Sequence, residues 1–85
     1  MFKCYVFSAH WCGPCRVLHK NLENFTDCEV VNYDVDELEE NVLRKFKIRN
    51  IPVTILLNDN NEEIKRWVGL FNVQEISDKI KELND

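Results

Sequence analysis

The sequence predicts an α/β fold: a four-stranded mixed sheet flanked by three helices, in the order β-α-β-α-β-β-α. Three observations predict it. Short runs rich in β-branched and aromatic residues alternate with stretches whose apolar residues recur at helical spacing. The apolar runs FKCYVFS (residues 2–8) and VTILLN (residues 53–58) lack steady polar alternation, as strands covered on both faces do. A turn cluster, Asn58-Asp59-Asn60-Asn61, separates the last two strand candidates by a hairpin's length.

Residues 2–8 read as the first, buried strand. Cys15, Leu18, Leu22 and Phe25 then fall on one helical face, so a helix is expected over residues 13–25, broken by Thr26-Asp27-Cys28. Residues 29–35 (EVVNYDV) form the second strand candidate. Asp36 is placed to cap a second helix from about Glu37 to Lys47, with Leu38, Val42, Leu43 and Phe46 inward; Ile48-Arg49-Asn50-Ile51-Pro52 stops it. Residues 53–58 and 62–68 pair as an antiparallel hairpin. Asn72-Val73-Gln74-Glu75 opens the last helix as an asparagine variant of a capping box, with Ile76, Ile80 and Leu83 packed inward. The first two strands, joined by a crossover helix, are expected to be parallel.

Length and charge narrow the function. The chain has 85 residues, 45% hydrophobic and 31% charged. It is expected to be one domain, residues 1–85, too short for a two-domain enzyme or a TIM barrel. A net charge of −4 argues against a nucleic-acid surface. No apolar run is long enough to span a membrane, and MFKCYVF lacks the features of a signal peptide. A cytoplasmic, reducing location and a monomer are therefore expected. There, cysteines are more often catalytic, metal-binding or simply buried than stapled.

Cys12 and Cys15 carry the chemistry. The run Trp11-Cys12-Gly13-Pro14-Cys15 lies between the first strand and the first helix, a C-x-x-C motif in a βαβ setting. Cys12 falls at a helix N-terminus, where unpaired N–H groups and the macrodipole favour a thiolate, so its pKa is expected to be lowered. Pro14 fits the first turn, where its missing N–H has no helical partner. Cys15 follows on the same helical face, close enough for a disulfide. Exchange then needs two steps: Cys12 attacks a substrate disulfide, and Cys15 resolves the mixed disulfide. The competing reading is half of a zinc site, but Cys4, Cys28, His10 and His19 are scattered singly and do not complete one. No metal and no cofactor are expected.

With that motif the chain resembles the thioredoxin superfamily, and its thioredoxin branch most closely. Ile51-Pro52 is similar to the family's cis-proline loop, and Val68-Gly69 to its Val-Gly dipeptide after the final strand. The resemblance implies a minimal thioredoxin fold, glutaredoxin-sized and lacking the usual N-terminal strand and helix. It implies a protein-disulfide reductase recharged by a flavin-dependent thioredoxin reductase, with ribonucleotide reductase a candidate recipient. It also implies that Ile51, Pro52 and Gly69 contact an extended substrate segment. Three departures stand out. Val6 occupies the position of the family's buried aspartate, Asn32 that of its lysine partner, and Lys20 that of a helix-kinking proline, so the helix is expected to run straighter.

The remaining candidates are less specific. Trp11 is expected to shield the nucleophile and offer substrate a flat apolar surface, whereas Trp67 reads as packing. His10 is a candidate to stabilise the thiolate, His19 to approach Cys15, and Arg16 to add positive potential; solvated side chains are the plainer reading for all three. Cys4 reads as a small core hydrophobe and Cys28 as an exposed, modifiable thiol, with a Cys4–Cys28 disulfide a further option. Residues 27–41 hold seven acidic and no basic residues, and Arg49 beside the proline loop is a candidate for partner selection.

Two other functions remain open at this level. A glutathione-dependent glutaredoxin fits the size, but Gly69-Leu70-Phe71-Asn72 lacks the second glycine and the acid of that family. A non-catalytic binding module, holding an iron–sulfur cluster or acting as a scaffold, is the third.

Overall fold

The structure, a computed structural model, describes residues 1–84. Four strands, β1 (Lys3–Ser8), β2 (Glu29–Asp34), β3 (Val53–Leu57) and β4 (Glu63–Val68), form one sheet in the order β2-β1-β3-β4. β1 runs parallel to β2 and antiparallel to β3, and β3 and β4 form the antiparallel hairpin. The helices are α1 (Gly13–Leu22), α2 (Glu40–Lys45) and α3 (Gln74–Asn84). The predicted order and mixed sheet are therefore observed.

Period-two alternation divides the sheet into two apolar faces. On one, Cys4, Val6, Leu56 and Trp67 meet Leu18 and Leu22 of α1 and Ile76 of α3, joined by Cys28. On the other, Phe7, Val53, Ile55 and Leu57 are covered by Tyr5, Tyr33, Leu38, Phe46 and Ile48. Phe7 stacks on Tyr33, with centroids 5.3 Å apart, and lies 5.4 Å from Phe46. All five residues of β3 are buried, because this central strand has cover on both faces. Trp67 packs flat on Phe71 at 4.8 Å, the structural role expected for it.

Several boundaries move. α1 ends at Leu22, where Glu23 N–H turns back to the Lys20 carbonyl and Phe25 N–H to Leu22; Phe25 still packs on the core from outside the helix. α1 is uninterrupted through Lys20. The long second helix does not form. Asp34, not Asp36, caps a single 3-10 turn (Val35–Glu37) by accepting from Asp36 N–H at 2.9 Å, and Leu38 is extended. Helical structure resumes only in the six-residue α2. It closes with Ile48 N–H on the Leu43 carbonyl and Lys47 N–H on Arg44, around a left-handed Lys47 (φ 57°).

Other details follow the local chemistry. Asn61 takes the left-handed conformation in the hairpin turn, and the Asn58 side chain accepts from Asn60 and Glu62 N–H. The register slips between Leu56 and Leu57, opposite Lys65 and Glu63, which leaves Ile64 as the extra residue of a bulge. Asn72 accepts from Gln74 N–H at 3.0 Å, as a cap should. Burial falls along α3: Ile76 is buried, Ile80 half-buried and Leu83 exposed, so Leu83 is not the inward residue expected.

Candidate active site

The site forms where β1 hands over to α1. Cys12 occupies the N-cap position in extended conformation (φ −91°, ψ 115°), and its Sγ accepts from the backbone N–H of Cys15 at 3.3 Å. The helix begins at Gly13 with Pro14 in its first turn. Cys12 and Cys15 are joined by a disulfide, their Cα atoms 5.2 Å apart. Cys12 is 7% exposed and Cys15 only 1%. The sulfur nearer solvent is therefore also the one facing unpaired N–H groups at the positive end of the helix.

Apolar residues enclose the pair. Ala9 packs against both cysteines, with Val35 and Ile51 against that cluster. Ile51-Pro52 is a cis peptide, as the resemblance implied. The Pro52 carbonyl accepts from Gly69 N–H at 2.7 Å, which ties the loop after β4 to the proline loop. Gly69 has φ 87°, a left-handed conformation that glycine adopts without strain. Ile51 thus packs against the cysteine pair, and the backbone bond between Pro52 and Gly69 joins the loop after β4 to the same proline loop. Val68 and Leu70 flank Gly69 with their side chains exposed.

A groove of about 220 Å³ is lined by Trp11, Val35, Leu43, Ile48, Arg49 and Ile51, and two of these, Val35 and Ile51, also pack against the cysteine pair. Trp11 is 60% exposed and does not belong to the core. Its Nε1 donates to Asp36 at 2.8 Å, a contact that periodicity could not disclose because it depends on the 3-10 turn. Arg49 is exposed at the groove wall beside Ile51.

Side candidates sort clearly. The Arg16 guanidinium folds back onto the His10 carbonyl at 3.1 and 3.2 Å, so it braces the loop before Cys12. His19 Nε2 meets Ser8 Oγ at 2.9 Å; Ser8 was not singled out by sequence. Val6 is fully buried, opposite Asn32 on β2 and Thr54 on β3. Cys28 is buried at 3% rather than exposed, because it packs beside Cys4 in the core. Among the described residues no group of three or more His, Cys, Asp and Glu side chains is arranged to hold a metal, so the zinc reading has no ligand set there.

Geometry and likeness agree. A family model described as a thioredoxin-like domain matches residues 3–84. Thioredoxin H2 of Arabidopsis thaliana is 36% identical over 81 residues, 91% of this chain and 59% of that protein. The chain thus spans less than two thirds of that plant relative's length. The SPbeta prophage-derived thioredoxin-like protein YosR of Bacillus subtilis (strain 168) is 38% identical over 72 residues, 85% of this chain and 86% of that protein. Among solved structures, a mutant thioredoxin from Halobacterium salinarum NRC-1 superposes with a TM-score of 0.83 at 30% identity, covering 99% of this chain and 75% of that one. A disulfide at a helix start, a cis-proline loop packed against it and a family-model match over residues 3–84 place this chain in the thioredoxin-like family.

Proposed function

We propose that the chain is a thiol-disulfide oxidoreductase that reduces protein disulfides. The observation that carries this reading is the asymmetric Cys12–Cys15 pair, with the outer sulfur at the helix N-cap and the inner one buried. In the reduced protein, the N–H of Cys15 and the helix dipole favour a thiolate at Cys12. That thiolate attacks one sulfur of the substrate disulfide, forming a mixed disulfide and expelling the other sulfur as a thiolate. Cys15, giving up its proton, then attacks Cys12 Sγ. The Cys12–Cys15 disulfide forms and the second substrate sulfur leaves.

Trp11, Gly13 and Pro14 belong to the motif that presents Cys12. Ile51, Pro52 and Gly69 are assigned to substrate, because Ile51 lines a mostly apolar groove and the Pro52–Gly69 backbone bond holds the two loops together beside Ile51. Arg49 is placed to favour acidic segments. The whole chain, residues 1–85, is read as one domain and a monomer acting in the cytoplasm. A flavin-dependent thioredoxin reductase is the proposed electron donor, and ribonucleotide reductase a candidate recipient.

The test is trapping. A Cys15→Ser chain mixed with a disulfide-containing protein should accumulate a mixed disulfide through Cys12, while Cys12→Ser should accumulate none. Equal labelling of the two variants would overturn the assignment. Rapid recharging by glutathione but not by thioredoxin reductase would move the chain to the glutaredoxin class.

A further inference from the structure

The core beneath α1 holds a second pair of sulfurs. Cys4 lies in β1, and Cys28 immediately precedes β2. In the parallel register Cys4 stands opposite Val30, two residues beyond Cys28, so both cysteine side chains project to the α1 side of the sheet. Their Sγ atoms are 3.2 Å apart. Both are free thiols, at 0% and 3% exposure, among Val6, Leu18, Leu22 and Leu56. A buried cysteine that serves only as a small hydrophobe needs no second sulfur against it.

We infer that Cys4 and Cys28 form a second dithiol/disulfide couple, oxidised by hydroperoxides and distinct from the Cys12–Cys15 pair. Cys28 keeps 3% exposure in the irregular connection between α1 and β2, whereas Cys4 has none within β1, so Cys28 reacts first. The hydrogen bond between the two sulfurs holds the Cys28 thiol below its ordinary pKa, and the same bond, with burial, pushes that of Cys4 up. The Cys28 thiolate attacks one oxygen of the peroxide, the O–O bond breaks, and a sulfenic acid and hydroxide result. Cys4 sulfur then displaces the hydroxyl from Cys28, closing the S–S bond. The proton of Cys4 leaves with that hydroxyl as water, and the first hydroxide takes up the proton Cys28 had lost. Two thiols are oxidised, one peroxide is reduced, and two waters form.

Closing the bond requires the sulfurs to move from contact to about 2.05 Å. The segment between α1 and β2, residues 23–28, consists of turns and bends and can supply that shift. The new disulfide would enclose all of α1 and the Cys12–Cys15 site, tying the start of β1 to the start of β2.

The experiment uses the whole chain, fully reduced with dithiothreitol, freed of reductant and titrated with hydrogen peroxide. Samples are alkylated in denaturant and read by intact mass and peptide mapping. The expected result is loss of one pair of hydrogens at Cys12–Cys15 and of a second pair in a peptide joining Cys4 to Cys28, both restored by dithiothreitol. The Cys12→Ser, Cys15→Ser double variant should form the same Cys4–Cys28 link. In Cys4→Ala, Cys28 should instead be captured by dimedone as a sulfenic acid. The inference is overturned if Cys4 and Cys28 stay fully alkylated at peroxide levels that oxidise the other pair. It is equally overturned if they appear only in links to Cys12 or Cys15, in links between chains, or as sulfinic acid. Failure of the Cys12–Cys15 pair to reduce protein disulfides would leave this result untouched.

Discussion

The indole N–H of Trp11 donates to the Asp36 carboxylate at 2.8 Å, although both side chains are exposed. The backbone of Asp36 is itself held, because the Asp34 side chain accepts from the Asp36 N–H at 2.9 Å. A chain of two bonds therefore runs from the end of β2 to the ring beside Cys12 and sets which way its face looks. Asp36→Ala should free the ring and lower kcat/KM for a protein disulfide by about two- to ten-fold, the scale of one solvent-exposed hydrogen bond of ~0.5–1.5 kcal/mol. Reduction of a small-molecule disulfide should be unchanged, and stability should shift by less than about 0.5 kcal/mol. An equal loss on both substrates would locate the effect in the sulfur chemistry rather than in docking.

Val6 fills a fully buried position where thioredoxins carry an aspartate. Directly opposite it, Thr54 is also fully buried, and its hydroxyl has no hydrogen-bond partner among the described residues. Paired residues of an antiparallel ladder share a face, so a carboxyl introduced by Val6→Asp would meet that hydroxyl. Burial would raise its pKa above the unfolded value of about 3.9. Between those two values the folded state would hold the extra proton, so stability would fall as pH rises across that interval. The penalty would reach ~3 kcal/mol once the group ionises. Urea unfolding at pH 4 and pH 8 measures it. The pH profile of turnover should also gain an inflection, and an unchanged profile would count against any role for this position in the chemistry.

What the sequence disclosed and what it hid divide by range. The Cys12-Gly13-Pro14-Cys15 site was legible because its cap, its proline and its sulfur spacing all lie within one helical turn. β3 was legible as a run of β-branched and apolar residues, and the Asn58–Asn61 turn by its residue types. α2 misled because Leu38, Val42, Leu43 and Phe46 keep helical spacing across a break. Asp34 takes the Asp36 N–H first, and Leu38 reaches the Phe7 side of the sheet from an extended backbone. Cys28 was read as exposed because its burial depends on Cys4, 24 positions away and brought close only by parallel pairing, although the pair itself was among the options. The Trp11–Asp36 bond likewise spans 25 positions.

Lys47 shows the same limit and gives a stability prediction. It takes a left-handed φ of 57° at the end of α2, where helices usually place glycine. Its carbonyl accepts from Arg66 at 3.4 Å, a backbone contact that any residue keeps. A side chain in this conformation costs ~1–2 kcal/mol, and part of the relief from glycine is offset by the greater freedom of the unfolded chain. Lys47→Gly should therefore stabilise the protein by about 0.5 kcal/mol, read as a higher urea midpoint with an unchanged slope. Lys47→Ala removes the same charge but keeps the strain and should not gain. Equal shifts in the two variants would assign the effect to charge.

Glu63 and Arg66 form a two-point ion pair on β4, with Nε to Oε2 at 3.0 Å and a terminal nitrogen to Oε1 at 2.8 Å. The Arg66 hydrogen bonds hold the Glu63 carboxyl below its ordinary value, and Glu63 raises the Arg66 pKa in turn. A depressed acid contributes stability above its unfolded pKa, near 4.3, and loses it as pH falls through the lower folded value. Arg66 stays charged throughout that range. Because the Glu63 side chain is 44% exposed, solvent screening keeps the gain to about 0.5 kcal/mol. Glu63→Gln should lower stability by that amount at pH 7 and at 50 mM salt (about the low end of ordinary buffers), less at high salt. The deficit should vanish at about pH 2, where the wild-type carboxyl is protonated as well. A deficit of the same size at both pH values would trace it to the shape of the bulge beside Ile64, since side-chain geometry does not titrate.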